Sequence, residues 1–231
     1  MINQELLLGI IAVTIILLGT LLAYLKKSFS KKTLSYLYEQ NDPIKYIESL
    51  LSFKAKFLVS NNQRLMLLIN GYTQTKEYEK IYEIFKDLRN SKLSYGKKIS
   101  LYQKEIFIYL KSHKNDLAIK SYNDLNEQAN LLQENTEIRK LVEDANIMVN
   151  VYARKNLDYI NELKEIIQNS KEKALKGLCN YRIAYIYYYN DDPNNADKYL
   201  KESSNMFKNT LIETAIRSVI KNKNNFKNTI I

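Results

Sequence analysis

One cysteine, Cys179, and one histidine, His113, stand in 231 residues, with two prolines and five glycines. A single cysteine excludes an intramolecular disulfide framework and suits a reducing compartment. A lone histidine removes most acid–base pairs, the Ser-His-Asp and Cys-His triads, and His-based metal sites. So few glycines and prolines leave little material for tight β-turns or a glycine-rich phosphate loop. His113 falls in an inter-helix turn and reads as solvated, while Cys179, beside Tyr181 and Ile183, reads as a small buried side chain. Glu143 and Asp144 are helical neighbours whose side chains diverge, and Asp191-Asp192 reads as a cap ahead of Pro193, placed as first helical residue. The expectation is a non-enzyme with no catalytic, cofactor-binding or metal site.

Charge is missing from one stretch altogether. Leu6 to Leu25 carries none over twenty residues, thirteen of them Leu, Ile or Val. About 20 apolar residues at about 1.5 Å each cross a hydrocarbon core of about 30 Å, and no buried charge opposes insertion. A cleaved signal peptide would need a basic start, a shorter apolar run and a small-residue cleavage site, and the start here is Met-Ile-Asn-Gln-Glu. The segment is therefore read as a retained single-pass anchor over residues 1–27. A basic juxtamembrane segment at 28–32 follows. Lys26, Lys27, Lys31 and Lys32 crowd its C-terminal side, so the positive-inside bias places the N-terminus outside and the C-terminal domain in the cytoplasm of a cell-membrane protein. The same lysines are candidates for lipid-headgroup contact. Gly19 and Ala23 form a small-xxx-small pair that permits helix dimerisation, hence a candidate homodimer contact.

The formal charge of +10 suggests nucleic acid until it is divided along the chain. Those four lysines, with Lys221, Lys223 and Lys227, carry seven positive charges and Glu5 one negative, which leaves +4 for residues 33–220. A body so close to neutral is a poor footprint for DNA or RNA, and no nucleic-acid partner is favoured.

Helical periodicity dominates after residue 32. Ile44-Ile47-Leu50-Leu51, Tyr78-Ile81-Tyr82-Phe85 and Ile160-Leu163-Ile166-Ile167 hold the three-and-four spacing of amphipathic helices. Polar breaks fall at 40–42, 73–76, 90–94, 113–116, 156, 169–171 and 190–194. Aligning Ile47, Ile81, Ala118, Ile160 and Ala196 brings Tyr38, Tyr72, Tyr109, Val151 and Tyr187 into register nine residues earlier, and Leu51, Phe85, Tyr122, Lys164 and Leu200 four residues later. The widest interval, between Ala118 and Ile160, predicts a longer helix or loop near Asn126 to Glu137. The best copy runs from Tyr181 to Leu200, with Ala184 and Ala196 as small residues that let two helices approach.

This pattern resembles the tetratricopeptide repeat, over about residues 33–205. The fold class implied is all-α: an N-terminal transmembrane helix, then a tetratricopeptide-like α-solenoid of antiparallel helix pairs over 33–220. Thr210 to Lys221 reads as a terminal capping helix, and 221–231 as a basic, Asn-rich, disordered tail. By the resemblance, Asn70, Gln74, Gln103, Phe107, Tyr181, Tyr185 and Tyr188 face a groove that binds a protein or peptide; ordinary interhelical packing is the alternative for each ring. A carboxylate clamp of the kind some members carry would use Asn70 and Lys104, but Met66 and Ser100 stand where cations are needed. The function implied is a membrane-anchored scaffold or adaptor. The alternative is a structural accessory subunit of a larger membrane complex, packing through convex helical faces.

Overall fold

The structure is a computed structural model that describes residues 4–131 and 136–230. Among the described residues every regular element is helical, and the chain divides into two compact units, Met1–Leu93 and Ser94–Ile231.

The first unit opens with α1, Gln4–Tyr38, a single helix with no break where the apolar stretch gives way to lysines. At 35 residues it is about 52 Å long. Its apolar stretch is long enough to cross a bilayer, and from Val13 to Leu25 its large side chains lie exposed rather than packed on protein. This supports single-pass membrane association. The segment at 28–32 is part of the same helix.

Asn41, at φ 51°, turns the chain out of α1, and the Asp42 carboxylate caps α2, Pro43–Leu51, by accepting from the Lys45 amide at 2.9 Å. A single residue, Ser52, separates α2 from α3, Phe53–Leu58, and its hydroxyl accepts from the Ala55 amide. The hairpin of α4, Asn61–Thr75, and α5, Tyr78–Arg89, completes the unit. Its core is Tyr46, Leu50, Leu68, Ile69, Ile81, Phe85 and Leu88, all almost fully buried. Helices α2 and α4 meet at Gly71, where an added Cβ would stand 2.7 Å from Ile47 Cγ1 and 2.9 Å from Tyr46 Cδ1. Gly71→Ala is therefore expected to destabilise the fold by about 1–3 kcal/mol through overpacking, read from urea unfolding.

The second unit holds α6, Tyr95–Lys111, α7, Asn115–Asn130, α8, Thr136–Met148, a π-helical segment Val149–Arg154, α9, Tyr159–Asn169, α10, Lys173–Tyr189, α11, Pro193–Met206, and α12, Leu211–Lys221. The most extensive packing is between α10 and α11 and between α6 and α7. Ala184, Ala196 and Leu200 are fully buried in the first of these pairs, as the pattern of the best copy predicts. The pair also packs tightly at Gly177, whose carbonyl accepts from the buried Ser203 hydroxyl at 2.7 Å and where an added Cβ would stand 2.7 Å from Phe207 Cε2. Tyr187 stacks on Tyr199 of the same pair, with centroids 5.8 Å apart.

The polar breaks form a recurring turn. Lys76, His113 and Asp191 sit at φ 59°, 60° and 58°, and the next residue's amide reaches back five positions to the carbonyl of Tyr72, Tyr109 or Tyr187 at 2.8–3.0 Å. This is a helix end closed by a left-handed residue, a position usually given to glycine. At Lys155 the loop is one residue wider, with Asn156 N–H bonding to the Asn150 carbonyl, because the π-helical segment inserts an extra residue before the turn. The longer helix or loop expected near Asn126 to Glu137 falls at the junction of α7, which ends at Asn130, and α8, which starts at Thr136, and includes residues outside those described. His113 is exposed, so His113→Gly is expected to stabilise the protein by about 0.5–1 kcal/mol, detectable as a raised urea midpoint.

Candidate tyrosine cradle and its tail

Four tyrosines of α10 lie at helical spacing, and their burial follows from what lies across them. Tyr181 is fully buried and Tyr185 is 6 % exposed, while Tyr188 and Tyr189 are half-buried. Tyr185 meets Tyr152 of the π-helical segment edge-on, at 4.8 Å between centroids, and Tyr189 at 4.6 Å. Phe226, with no exposed surface, fills the space among Tyr181, Tyr185 and Tyr188 at centroid distances of 5.6, 5.5 and 5.0 Å. Offset and edge-on contacts of this kind each contribute about 0.5–1.5 kcal/mol beyond area burial.

Phe226 belongs to the tail that the sequence reading leaves disordered. Lys223–Asn228 instead forms a 3-10 segment, capped by the Asn222 side chain accepting from the Asn224 amide at 3.0 Å. The Tyr181 hydroxyl donates to the Thr229 carbonyl at 2.7 Å, and the Tyr188 hydroxyl to Asn224 Oδ1 at 3.4 Å. Lys223 pairs with Asp197 of α11, and the Asn225 side-chain Nδ2 donates to the Ser218 carbonyl of α12 at 3.0 Å. Phe226, with Ile230 packed against the same core, supplies the apolar contact that holds a short strap with no periodicity of its own.

Burial pushes the hydroxyls of Tyr181 and Tyr185 well above the usual phenol range, with Tyr152 and Tyr185 adding to it at Tyr181 and Tyr189 adding to it at Tyr185. They remain neutral donors at every physiological pH. Burial likewise raises the Cys179 thiol, opposed by Arg182, so this fully buried side chain is a thiol and not a nucleophilic thiolate.

The other candidates are dispersed. Gln103 and Phe107 lie on α6, Phe107 beneath the Lys111 ammonium at 4.6 Å. Asn70 and Gln74 belong to α4 of the first unit; Asn70 hydrogen-bonds the Tyr46 hydroxyl, which also donates to the Leu67 carbonyl. Lys104 is pushed down by burial. Lys26, Lys27, Lys31 and Lys32 are all exposed on α1, as is Gly19, whose Cα faces open space. The sequence reading groups Tyr189 with Tyr181, Tyr185 and Tyr188 but misses Phe226 and Tyr152; the one aromatic in the Asn- and Lys-rich tail was the available signal. The Asp192 cap is as read, its carboxylate accepting from the Asn195 amide ahead of Pro193. Among the described residues no three His, Cys, Asp or Glu side chains converge on a point.

Helix α12 presents the strap and is itself held by a carboxylate. The Asn209 amide donates to Glu213 at 2.7 Å and Arg217 pairs with it, holding the carboxyl below its ordinary value of 4.5. A depressed carboxylate contributes stability above its unfolded pKa and loses it as pH falls through the folded one. Hydrogen-exchange protection factors in 207–230, corrected for the intrinsic pH dependence of exchange, are therefore expected to fall below about pH 4.5, and Glu213→Gln is expected to remove that dependence. The chain matches no protein-family model, no curated protein and no solved structure.

Proposed function

We propose that this protein is a membrane-anchored adaptor whose helical hairpins form a tetratricopeptide-like array, and that a protein or peptide partner docks in the tyrosine cradle of α10. The observation that carries this reading is the tail: the cradle holds an irregular peptide, taking one aromatic side chain among its rings and one backbone carbonyl on a phenol. A surface that accepts its own strap in this way has the chemistry to accept a foreign one. The left-handed turns at Lys76, His113 and Asp191 support the array, since they set three of its hairpins alike. The anchor adds local concentration at the bilayer, so modest cradle affinity suffices.

Photo-crosslinkers at Tyr188 and Gln103 test this in living cells, in the full chain and in a chain ending at Asn222. A partner captured more strongly without the tail, and displaced by a synthetic peptide of residues 222–231, supports the reading. No capture beyond background in either chain refutes it. The covered cradle also favours a second reading, a structural subunit that packs through its outer helical faces with the strap permanently seated; capture at exposed positions of α11, unchanged by tail removal, distinguishes it.

A further inference from the structure

The outward face of α3 is the largest aromatic exposure in the first unit. Phe53 is 85 % exposed and Phe57 71 %, four residues apart and so on one face, with Lys54 and Lys56 exposed beside them. The opposite face is fixed: Ala55 and Val59 are buried against Phe29 of α1. Phe29 comes four residues after Leu25, about 6 Å further along the helix. A bilayer's headgroup layer adds about 5–8 Å to each side of its hydrocarbon core. With α1 inserted, α3 is therefore held at headgroup depth. Between α1, α2 and α3 lies an open cleft lined by Lys32, Lys45 and Lys54, with Thr33, Ser49 and Glu48. The hydroxyls of Thr33 and Ser49 bond each other at 2.8 Å, and Lys45 lies over the Tyr36 ring.

We propose that the α1–α3 corner is an anionic-lipid docking surface: Phe53 and Phe57 enter the acyl boundary while Lys32, Lys45, Lys54 and Lys56 bind lipid phosphates. An aromatic face flanked by lysines is the composition of an interfacial amphipathic helix, and the cleft's net positive charge complements a negative headgroup. The surface is continuous with the anchor, which sets both its depth and its occupant. The proposal rests on α1 spanning the membrane.

The chain has no tryptophan, so Phe57→Trp places a single indole reporter on this face and Leu22→Trp one in the anchor. Each full-length variant is reconstituted in phosphatidylcholine vesicles with and without phosphatidylglycerol. The expected result is quenching of both by brominated acyl chains and protection of both from aqueous iodide, stronger at Phe57→Trp with phosphatidylglycerol present. Adding Lys54→Glu and Lys56→Glu is expected to lower the shielded-to-exposed ratio at Phe57→Trp by more than about tenfold in phosphatidylglycerol vesicles. Iodide access at Phe57→Trp with Leu22→Trp still shielded overturns the α3 proposal and leaves the anchor standing; iodide access at Leu22→Trp overturns the anchor itself. Release of Phe57→Trp by inorganic phosphate would make the cleft a free-anion site and also overturn the proposal. So would iodide access in vesicles combined with protein crosslinks at Phe57 in cells, which assigns the face to a protein.

Discussion

Phe226→Ala is expected to cost about 3 kcal/mol and to release residues 223–230 from α10. The side chain is fully buried among three tyrosine rings, and phenylalanine truncations in such settings cost about 3–5 kcal/mol. The lower end applies because the segment is terminal: once docking is lost, further loss is local rather than global. Phe226→Leu retains most of the volume and is expected to cost under about 1.5 kcal/mol. Tyr181→Phe removes only the bond to the Thr229 carbonyl and is expected to cost about 0.5–1.5 kcal/mol. Urea unfolding gives the magnitudes, and hydrogen exchange at 223–230 shows whether the strap has left. An alanine variant with unchanged protection there would mean that the rings do not hold the tail.

The second large effect is on membrane insertion. Replacing Ile16 and Leu18 with aspartate places two carboxylates near the middle of the apolar stretch, both at positions exposed on α1. Each exchange swings the insertion free energy by about 3–4 kcal/mol, so the pair opposes insertion by about 6–8 kcal/mol. The thirteen large aliphatics from Leu6 to Leu25 supply about 4–8 kcal/mol in favour. The balance is expected to fall near or below zero, moving the chain from the alkali-resistant membrane fraction into the soluble or aggregated one. Ile16→Val with Leu18→Val, the conservative pair, should stay in the membrane. A double-aspartate chain that remains alkali-resistant would assign membrane attachment to another element.

The two features behind these predictions were unequally legible in the sequence. Twenty residues without charge, with the acidic start and the lysines that follow, signal a spanning helix, and the polar breaks at 40–42, 113–116 and 190–194 coincide with turns while 73–76 reaches one only at Lys76, because polar residues tolerate the left-handed position that closes these helix ends. The break at Ser52 was hidden. Apolar residues continue at helical spacing on both sides of it, and one hydroxyl cap replaces the glycine or proline that would announce a turn. The cradle was half legible: spacing identified which tyrosines share a face of α10, but periodicity reports a face and not its cover. The strap escaped because six residues of 3-10 structure around one phenylalanine generate no repeat to detect.

The unbroken course of α1 sets how such a protein meets its neighbours. A flexible tether of ten residues would let the first unit sweep about 15–20 Å in any direction. A helix entering that unit without a joint grants no such reach. Seated in a bilayer, the first unit is held at one depth relative to the lipid, and its encounters are those of lateral diffusion. A membrane-bound neighbour must offer its own contact at that height to be found at all, so the anchor acts as a filter on geometry before any side chain makes a choice.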